Sequence, residues 1–401
     1  MKKLSLYLII LCLFSACKKT QVEVEKAPAR FKTDVLLKTT PVKSQGHSSL
    51  CWAYAMLATI ETEHLMQGDS VNLSADFVAR AFLKEQLMER MYRSVGRQGS
   101  QVSDRQVGGL SAQKGSLSAQ MGRLETQTSR LGSLNGPFTD ALTTRGVGSM
   151  LIRLIQTYGL THYDAYRRQK KCNYNVLCRK LMQQMEAPVG RLKSLQNDGF
   201  SAFQERVDKT LDDEIGPAPR FVFMLGAEYT ALEFAHSVCR DDEYESLTSF
   251  THHPFGQRFP LELTDNRYHD TFLNVPLDTL MHVVKRSLRR GHPVCWEGDV
   301  SEPGFSFRRG VAMLMMKHPP MTRERSSVTQ KMRQESFETG LTTDDHCMEI
   351  VGLAHDESGR NYFIMKNSWG TNNPYGGFMY VSEDYVRLKT IAVFLPKAAL
   401  V

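Results

Sequence analysis

The sequence of 401 residues lacks the marks of several protein classes. No stretch is long and apolar enough to cross a membrane as a helix, which takes about 20 residues. Cysteine is scarce and irregularly spaced, without the paired CxxC of a zinc site or a disulfide framework. The formal charge of +7 is mild and the basic residues are scattered, so no nucleic-acid surface is expected. An ordinary globular composition remains, with length for one large domain or two lobes.

The N-terminus predicts export. Two lysines precede an apolar run over residues 4–14, which ends in the sequence SAC at Cys17. This run is too short to span a bilayer and is typical of a secretory signal. Small residues that end in a cysteine resemble the lipobox of bacterial lipoproteins, although Phe14 stands where that pattern prefers leucine. The resemblance implies a signal peptide over residues 1–16 and acylation of Cys17. It also implies a lipid anchor in the bacterial envelope, whereas a plain secretory signal cut nearby is the alternative.

The rest of the chain divides into a tether and a fold. Residues 17–33 are predicted to be the tether, and residues 34–401 one continuous domain. Apolar residues at helical spacing predict a helix from Cys51 to about Met66. A second helix is predicted over residues 73–91, with Ser74 as its N-cap.

Further helices and late strands set the fold class. A short helix is predicted over residues 148–160, and residues 173–214 are mostly helical within an insertion over about 166–220. Residues 94–135 are rich in Gly, Ser, Gln and Arg, and they predict a helical insert that either packs on the core or serves as a lid or partner-binding helix. Strands are predicted over residues 292–300 and in a hairpin over 348–370. Helices first and strands later predict an α+β protein with two lobes.

One cysteine stands where a helix begins. The helix dipole and the free N–H groups at that end stabilise the Cys51 thiolate, which is the nucleophilic form. Activation also needs an imidazole and a group that orients it. His346 begins an apolar strand, and the hairpin brings Asn367 beside it so that the amide oxygen can accept from the ring. Trp369 is placed to cover that hydrogen bond.

Each of these residues has an alternative. Cys51 on its own could be a buried core cysteine, and Asp344 or Asp345 could orient the imidazole in place of Asn367. His47 near the cysteine is expected to be an exposed loop residue. The other histidines that compete with His346 are His252, His253, His292 and His355. Cys172 and Cys178 could form a local disulfide or remain buried thiols.

Four sequence elements, in this order, resemble the papain superfamily of cysteine peptidases. They are Gln45, the run CWAY that starts with Cys51 and Trp52, the strand-leading His346, and the block NSWG at residues 367–370. The long helical segment between the two halves is similar to the bleomycin hydrolase and aminopeptidase C branch. The resemblance implies a papain-like fold, with a helical lobe that carries the cysteine and a β-barrel-like lobe that carries the histidine and asparagine.

The resemblance also implies the roles of the residues. Cys51 is the nucleophile, His346 takes its proton and returns one to the leaving amine, and Asn367 fixes the imidazole. Gln45 and the Cys51 backbone N–H form the oxyanion hole, while Trp52 and Trp369 support the site. No metal or organic cofactor is expected, because thiolate chemistry needs none.

The sequence also indicates the class of substrate and the expected partners. A peptide or protein substrate and a membrane contact through the N-terminal lipid are expected, and the oligomeric state is open. In the bleomycin hydrolase branch a C-terminal arm enters the cleft and makes the enzyme an aminopeptidase. Here the last strand stops at Val401, short of such an arm, so endopeptidase activity is expected beside aminopeptidase activity.

Leu50 stands where a small or basic residue is usual, which leaves the cleft shape open. A catalytically silent binding protein and a Cys-His amidase or acyl transferase are the alternatives.

Overall fold

The computed structural model describes residues 30–99, 141–167, 172–189, 198–224, 226–315 and 328–401. The predicted signal peptide and Cys17 lie outside the described residues, and so do residues 100–135 of the predicted insert. The first strand begins at Phe31, so the fold starts three residues before the predicted boundary at Asp34.

Most of the described strands belong to one large mixed sheet. Its strands and one small separate hairpin are β1 (Phe31–Leu36), β2 (Val222–Met224), β3 (Ala227–Tyr229), β4 (Tyr244–Thr248), β5 (Arg258–Pro260), β6 (Thr271–Asn274), β7 (Val294–Gly298), β8 (Phe305–Ser306), β9 (Val311–Ala312), β10 (His346–Asp356), β11 (Asn361–Lys366), β12 (Phe378–Ser382) and β13 (Thr390–Pro396). The sheet has the order β5-β6-β4-β13-β7-β10-β11-β12-β9-β8, and β1 pairs with β10. The hairpin of β2 and β3 stands apart. The predicted strands at residues 292–300 and 348–370 are therefore central members of this sheet.

Helices occupy most of the first half of the described chain. They are α1 (Cys51–Met66), α2 (Ala75–Gly99), α3 (Met150–Tyr158), α4 (Tyr174–Val189), α5 (Asp198–Glu214), α6 (Ala231–Val238), α7 (Leu277–Arg289), α8 (Gln330–Glu338) and α9 (Glu383–Lys389). Across the described residues none of them has the length and apolarity that a membrane crossing requires. The predicted α+β class is confirmed, although β1 precedes every described helix and α7–α9 lie among the later strands.

The helix ends follow from single residues. The Oγ of Ser74 accepts a hydrogen bond from the Phe77 N–H at 3.1 Å, so Ser74 caps α2 as predicted. Helix α3 ends at Gly159, which has φ 88°, and a Cβ there would lie 2.3 Å from the backbone of Ala231. Only glycine permits both that backbone conformation and that close approach.

Two hydrophobic cores meet at the central strands. One core gathers residues of α1–α6, and the other lies between α7 and the sheet. Because side chains alternate along a strand, Cys347 of β10 belongs to the helical core while Met348 belongs to the sheet core. On β7, Cys295 and Trp296 divide in the same way. One face of β7 and β10 is thereby directed at α1, which packs against β10.

Candidate active site

Cys51 is the first residue of α1. The residue before the helix, Leu50, has no side-chain oxygen and makes no capping hydrogen bond, and the first turn carries no acidic residue. No capping side chain therefore competes for the N–H groups of the first turn, and the positive end of the helix dipole lies at Cys51. The Cys51 side chain is partly exposed. This is the setting in which a thiolate is stable and accessible.

Two neighbours from β10 bind the Cys51 sulfur. A hydrogen bond with the Cys347 thiol and a hydrogen bond and charge interaction with His346 hold the pKa of Cys51 well below its ordinary value, although burial opposes them. Burial, together with the hydrogen bond to Cys51, raises the pKa of Cys347 well above its ordinary value. Of the two adjacent thiols, Cys51 is the one that ionises, and Cys347 acts as a donor to it.

The β10–β11 hairpin positions the imidazole and its partner. His346 begins β10, and Asn367 directly follows β11, so the antiparallel pairing of Glu349 with Lys366 brings the two side chains together. His346 Nε2 lies 2.8 Å from Asn367 Oδ1, and both residues are buried. The sequence-based expectation that the hairpin juxtaposes these two residues matches this geometry.

A neighbouring backbone group fixes which ring nitrogen carries the proton. The Ser368 N–H donates to Asn367 Oδ1 at 2.7 Å. Because a backbone N–H can only donate, the amide atom that faces both groups is the oxygen. His346 Nε2 must then be the donor in its own contact with that oxygen, and Nδ1 is left for the Cys51 thiol. This is the tautomer that a proton acceptor for the thiol requires.

Trp369 covers the imidazole. Its ring centroid lies 4.6 Å from that of His346 at an interplanar angle of 34°. Phe305 and Phe307 meet the indole edge-on, with centroids at 5.9 and 5.4 Å. This apolar cover excludes water from the hydrogen bond between His346 and Asn367 and so strengthens it.

Gln45 is bound to the segment that carries the asparagine. Its backbone N–H donates to the Ser368 carbonyl at 2.8 Å, and its side-chain Oε1 accepts from Ser368 Oγ at 2.6 Å. Its Nε2 donates one hydrogen to the Ser48 carbonyl at 2.7 Å. An amide nitrogen has two hydrogens, so the second is available to the cleft, which Gln45 lines together with Cys51. A donor next to the sulfur is what a developing oxyanion needs.

Trp52 contacts a segment that lines the cleft but does not line the cleft itself. It is fully buried, and its Nε1–H donates to the Thr144 carbonyl at 2.9 Å. A Cβ at Gly146 would lie 3.0 Å from the indole. Trp52 therefore holds the segment that contributes Arg145 and Gly146 to the cleft lining.

The competing histidines lie elsewhere, whereas Asp344 and Asp345 line the cleft but Asn367 is the residue that binds His346 Nε2. His47 is exposed, as expected, and Leu50 is fully buried in the helical core rather than lining the cleft. The remaining candidate histidines pair with carboxylates away from the cleft: His252 and His253 with Glu262, His292 with Glu63, and His355 with Asp34. Within the described ranges every cysteine is a free thiol, so Cys172 and Cys178 form no disulfide.

Sequence reasoning missed four residues of the site. Ser368 joins Gln45 to the asparagine segment, and Cys347 binds the nucleophilic sulfur. Arg145 donates from Nε to Asp265 Oδ2 at 2.7 Å, and both line the cleft. Ser368 and Cys347 are next in sequence to the predicted site residues Asn367 and His346, so their position in the sequence could have pointed to them. Arg145 and Asp265 come from loops far from those residues in the sequence, and no sequence pattern points to them.

More than half of the chain matches a known protein family. The family model described as the Peptidase C1-like family matches residues 137–400, a range that contains His346 and Asn367 but begins after Cys51. No curated protein matches the chain.

Two solved structures show how far the likeness extends. PepW from Lactobacillus rhamnosis HN001 aligns with a TM-score of 0.63 at 19% identity, over 92% of this chain and 83% of PepW. The bromelain protease from Ananas comosus, solved with the E64 inhibitor, covers 89% of this chain and 93% of its own at 13% identity, but its TM-score is only 0.35. The likeness to PepW concerns the fold.

Proposed function

The chain belongs to the Peptidase C1-like family and is a cysteine peptidase with a papain-like fold. From that premise we propose which residues hydrolyse the peptide bond: Cys51, His346, Asn367 and Gln45. Cys51 is the nucleophile and His346 the proton carrier. Asn367 orients the imidazole, and Gln45 with the Cys51 N–H binds the oxyanion. The proposal is supported above all by one observation: His346, whose Nε2 binds Asn367 Oδ1 at 2.8 Å, lines the same cleft as Cys51 and lowers the pKa of that thiol.

The reaction follows from these contacts. The Cys51 thiol gives its proton to His346 Nδ1, and the sulfur attacks the substrate carbonyl carbon. The negative charge that develops on the carbonyl oxygen is met by the remaining hydrogen of Gln45 Nε2 and by the N–H of Cys51. His346 then gives its proton to the leaving amine, which departs and leaves a thioester on the sulfur. A water molecule, deprotonated by the same imidazole, attacks the thioester and releases the acid product.

Active-site labelling tests the assignment. An epoxide or vinyl-sulfone inhibitor should modify the wild-type chain at Cys51 and leave Cys51→Ala unmodified. Cys172→Ala is a matched control, because that thiol is buried at the start of α4 and should not affect labelling. Modification of Cys51→Ala at the wild-type rate, or a peptidase activity that survives in it, would exclude Cys51 as the nucleophile.

We also propose that the cleft accepts peptides whose amino terminus is blocked. The last residues of the chain lie on α7, where Arg286 donates to the carbonyls of Ala399 at 3.0 Å and Leu400 at 2.6 Å, and Arg290 donates to that of Val401. None of these three residues lines the cleft. Residues 399–401 therefore lie outside the cleft. Hydrolysis of a free-amine peptide but not of its N-acetylated form would contradict this proposal.

The envelope location rests on the N-terminal sequence. We propose that Cys17 is acylated after removal of residues 1–16 and anchors the peptidase to a membrane. Expression in a bacterium with a clickable fatty acid should label the wild type and not Cys17→Ser, with Cys12→Ser as a control in the same segment. Equal labelling of wild type and Cys17→Ser, or none in either, would reject the lipid anchor.

A further inference from the structure

Two cysteines line the active-site cleft. Cys51 begins α1, and Cys347 is the second residue of β10. In the parts of the chain that the structure describes, no other cysteine lines this cleft, and both of these are free thiols. Cys347 belongs to the helical core, and Cys51 packs against that core. The cleft therefore holds a second sulfur that makes no bond to the substrate in the proposed hydrolysis.

The second sulfur is in contact with the first. Both the side chain and the backbone of Cys347 form hydrogen bonds with the Cys51 thiol. Two sulfurs in contact can become linked once one of them is oxidised, because a sulfenic acid condenses with a neighbouring thiol. His346 directly precedes Cys347, so the same strand end brings both the proton acceptor and the second thiol to Cys51.

The surroundings give the two thiols different roles. Cys51 is partly exposed whereas Cys347 is 2% exposed, so an oxidant from solvent meets Cys51 first. The contacts with Cys347 and His346 lower the pKa of Cys51, whereas burial and the contact with Cys51 raise the pKa of Cys347. Cys51 is therefore the thiolate that an oxidant attacks, and Cys347 is a protonated thiol behind it. An accessible cysteine of low pKa beside a second cysteine is the arrangement found in thiol redox sensors.

The third thiol near the site lacks this access. Cys295 lies on β7 opposite Glu349, is fully buried and does not line the cleft. Burial and the charge of Glu297 raise its pKa well above the ordinary value. Cys295 is therefore a nearby thiol without the accessibility of Cys51 or the cleft position of Cys347, and it serves as an internal comparison.

We propose that Cys347 is a resolving cysteine for Cys51. Hydrogen peroxide converts the two thiols into an intramolecular disulfide, which blocks the nucleophile, and a dithiol reductant restores it. The inference rests on the proposed function, since the sulfur that the disulfide blocks is the one that attacks the peptide. The disulfide also protects Cys51 from sulfinic acid, the oxidation state that a dithiol does not reverse.

The reaction consumes one molecule of peroxide for each pair of thiols. The Cys51 thiolate attacks one peroxide oxygen and the O–O bond breaks. The departing hydroxide takes the proton held by His346, which gives water and a Cys51 sulfenic acid. The Cys347 sulfur then attacks the Cys51 sulfur, the S–O bond breaks, and the leaving hydroxide takes the Cys347 proton to form a second water. The two thiols lose two electrons in total, and the peroxide gains them.

Mass spectrometry of the wild-type protein tests the disulfide directly. The protein is treated with hydrogen peroxide, its remaining thiols are alkylated with iodoacetamide, and it is digested without reduction. We expect a cross-linked peptide pair that joins Cys51 to Cys347 and is about 2 Da lighter than the two free peptides together. Dithiothreitol after peroxide should restore alkylation of Cys51 to nearly the untreated level. Oxidation of Cys51 without this cross-link, or a cross-link to Cys295 in its place, would overturn the inference.

Variants separate the resolving thiol from its other contacts. Cys347→Ser keeps a hydrogen-bonding group beside Cys51 but cannot form a disulfide. At equal loss of the free Cys51 thiol, its Cys51 should form at least about tenfold more dimedone adduct than the wild type, because the sulfenic acid persists, and longer exposure should give sulfinic acid that dithiothreitol does not reverse. Cys295→Ala is the matched control and should behave as the wild type. Equal dimedone labelling and equal recovery in Cys347→Ser and wild type would contradict the proposal, and if the variant does not fold, the wild-type cross-link decides.

These readouts separate the inference from the proposed function, because neither the cross-link nor the alkylation of Cys51 requires a peptide to be cleaved. If the reduced protein cleaves peptides but peroxide forms no bond between Cys51 and Cys347, only the resolving role of Cys347 is wrong. If the disulfide forms and is reduced but the reduced protein cleaves no peptide, the redox pair exists and the proposed peptide hydrolysis is what fails.

Discussion

Replacing Gln45 by alanine is the most direct test of how the cleft stabilises charge. The substitution removes the Gln45 side-chain N–H that remains after the other hydrogen of Nε2 binds the Ser48 carbonyl at 2.7 Å. It leaves the contacts among Cys51, His346 and Asn367 in place. The thiolate should therefore form as in the wild type, while the oxyanion loses one of its two donors.

The expected loss can be given a magnitude. Removal of one oxyanion donor typically costs about 10²–10³ in kcat, or about 3–4 kcal/mol. The same change also leaves Ser368 Oγ without its 2.6 Å acceptor, a buried contact whose loss should lower the free energy of unfolding by about 1–3 kcal/mol. Gln45→Glu keeps the side-chain shape but places a carboxylate oxygen against the Ser48 carbonyl, so we expect an equal or larger loss of kcat.

Two assays separate the effects. Peptide hydrolysis, normalised to the fraction of folded protein, reports on the oxyanion. Alkylation of Cys51 by iodoacetamide proceeds at a saturated carbon and develops no carbonyl oxyanion, so its rate reports on the thiolate alone and should stay within about threefold of wild type. Gln67→Ala, at an exposed residue just after α1, is the control. A change in kcat of less than tenfold, or a parallel fall in alkylation, would refute the assignment of Gln45 to the oxyanion hole.

Three further outcomes follow from the same geometry. Asn367→Ala removes the acceptor that fixes the imidazole tautomer, so kcat should fall by about a hundredfold. Steady-state assays corrected by active-site titration measure this, and a loss below threefold would contradict the role of Asn367 in orienting His346. Cys347→Ala removes a neighbour that lowers the pKa of Cys51, so that pKa should rise and the pH profile of alkylation should move to higher pH; an unmoved profile would refute this role of Cys347. The pKa of Asp344 is about 7 in the fold against 3.8 ordinarily, so the folded state binds more protons between these values and stability falls as pH rises through them. Asp344→Asn should remove that decline, at most about 4 kcal/mol, as measured by urea unfolding at pH 4 and pH 8, and an identical pH dependence in wild type and variant would refute it.

The elements that carry the site were predictable because their signals are local. The helix that begins at Cys51 is encoded by apolar spacing over residues 51–66, and the hairpin is encoded by a strand, a turn and a second strand over consecutive residues. Antiparallel pairing then fixes the neighbour of His346, because the turn sets the register. The proximity of His346 and Asn367 is thus a consequence of short-range rules.

Other features of the cleft depend on contacts between distant segments. Glu297 and Asp344 come from separate segments, and they meet because β7 and β10 are neighbours in a sheet whose order does not follow the sequence. Strand alternation tells which residues share a face, but it does not tell which face meets α1.

The sequence by itself determined the helix that presents the thiol, the hairpin that presents the imidazole with its asparagine, and the α+β class. Only the tertiary structure decided that Cys347 lies beside the nucleophile, that Ser368 holds Gln45, and that the cleft residue Asp344 meets the buried Glu297. The physical reason is that hydrogen bonds within helices and hairpins depend on residues close in the chain. A cleft depends instead on how two hydrophobic cores pack against each other, and this brings together side chains whose positions no local pattern relates.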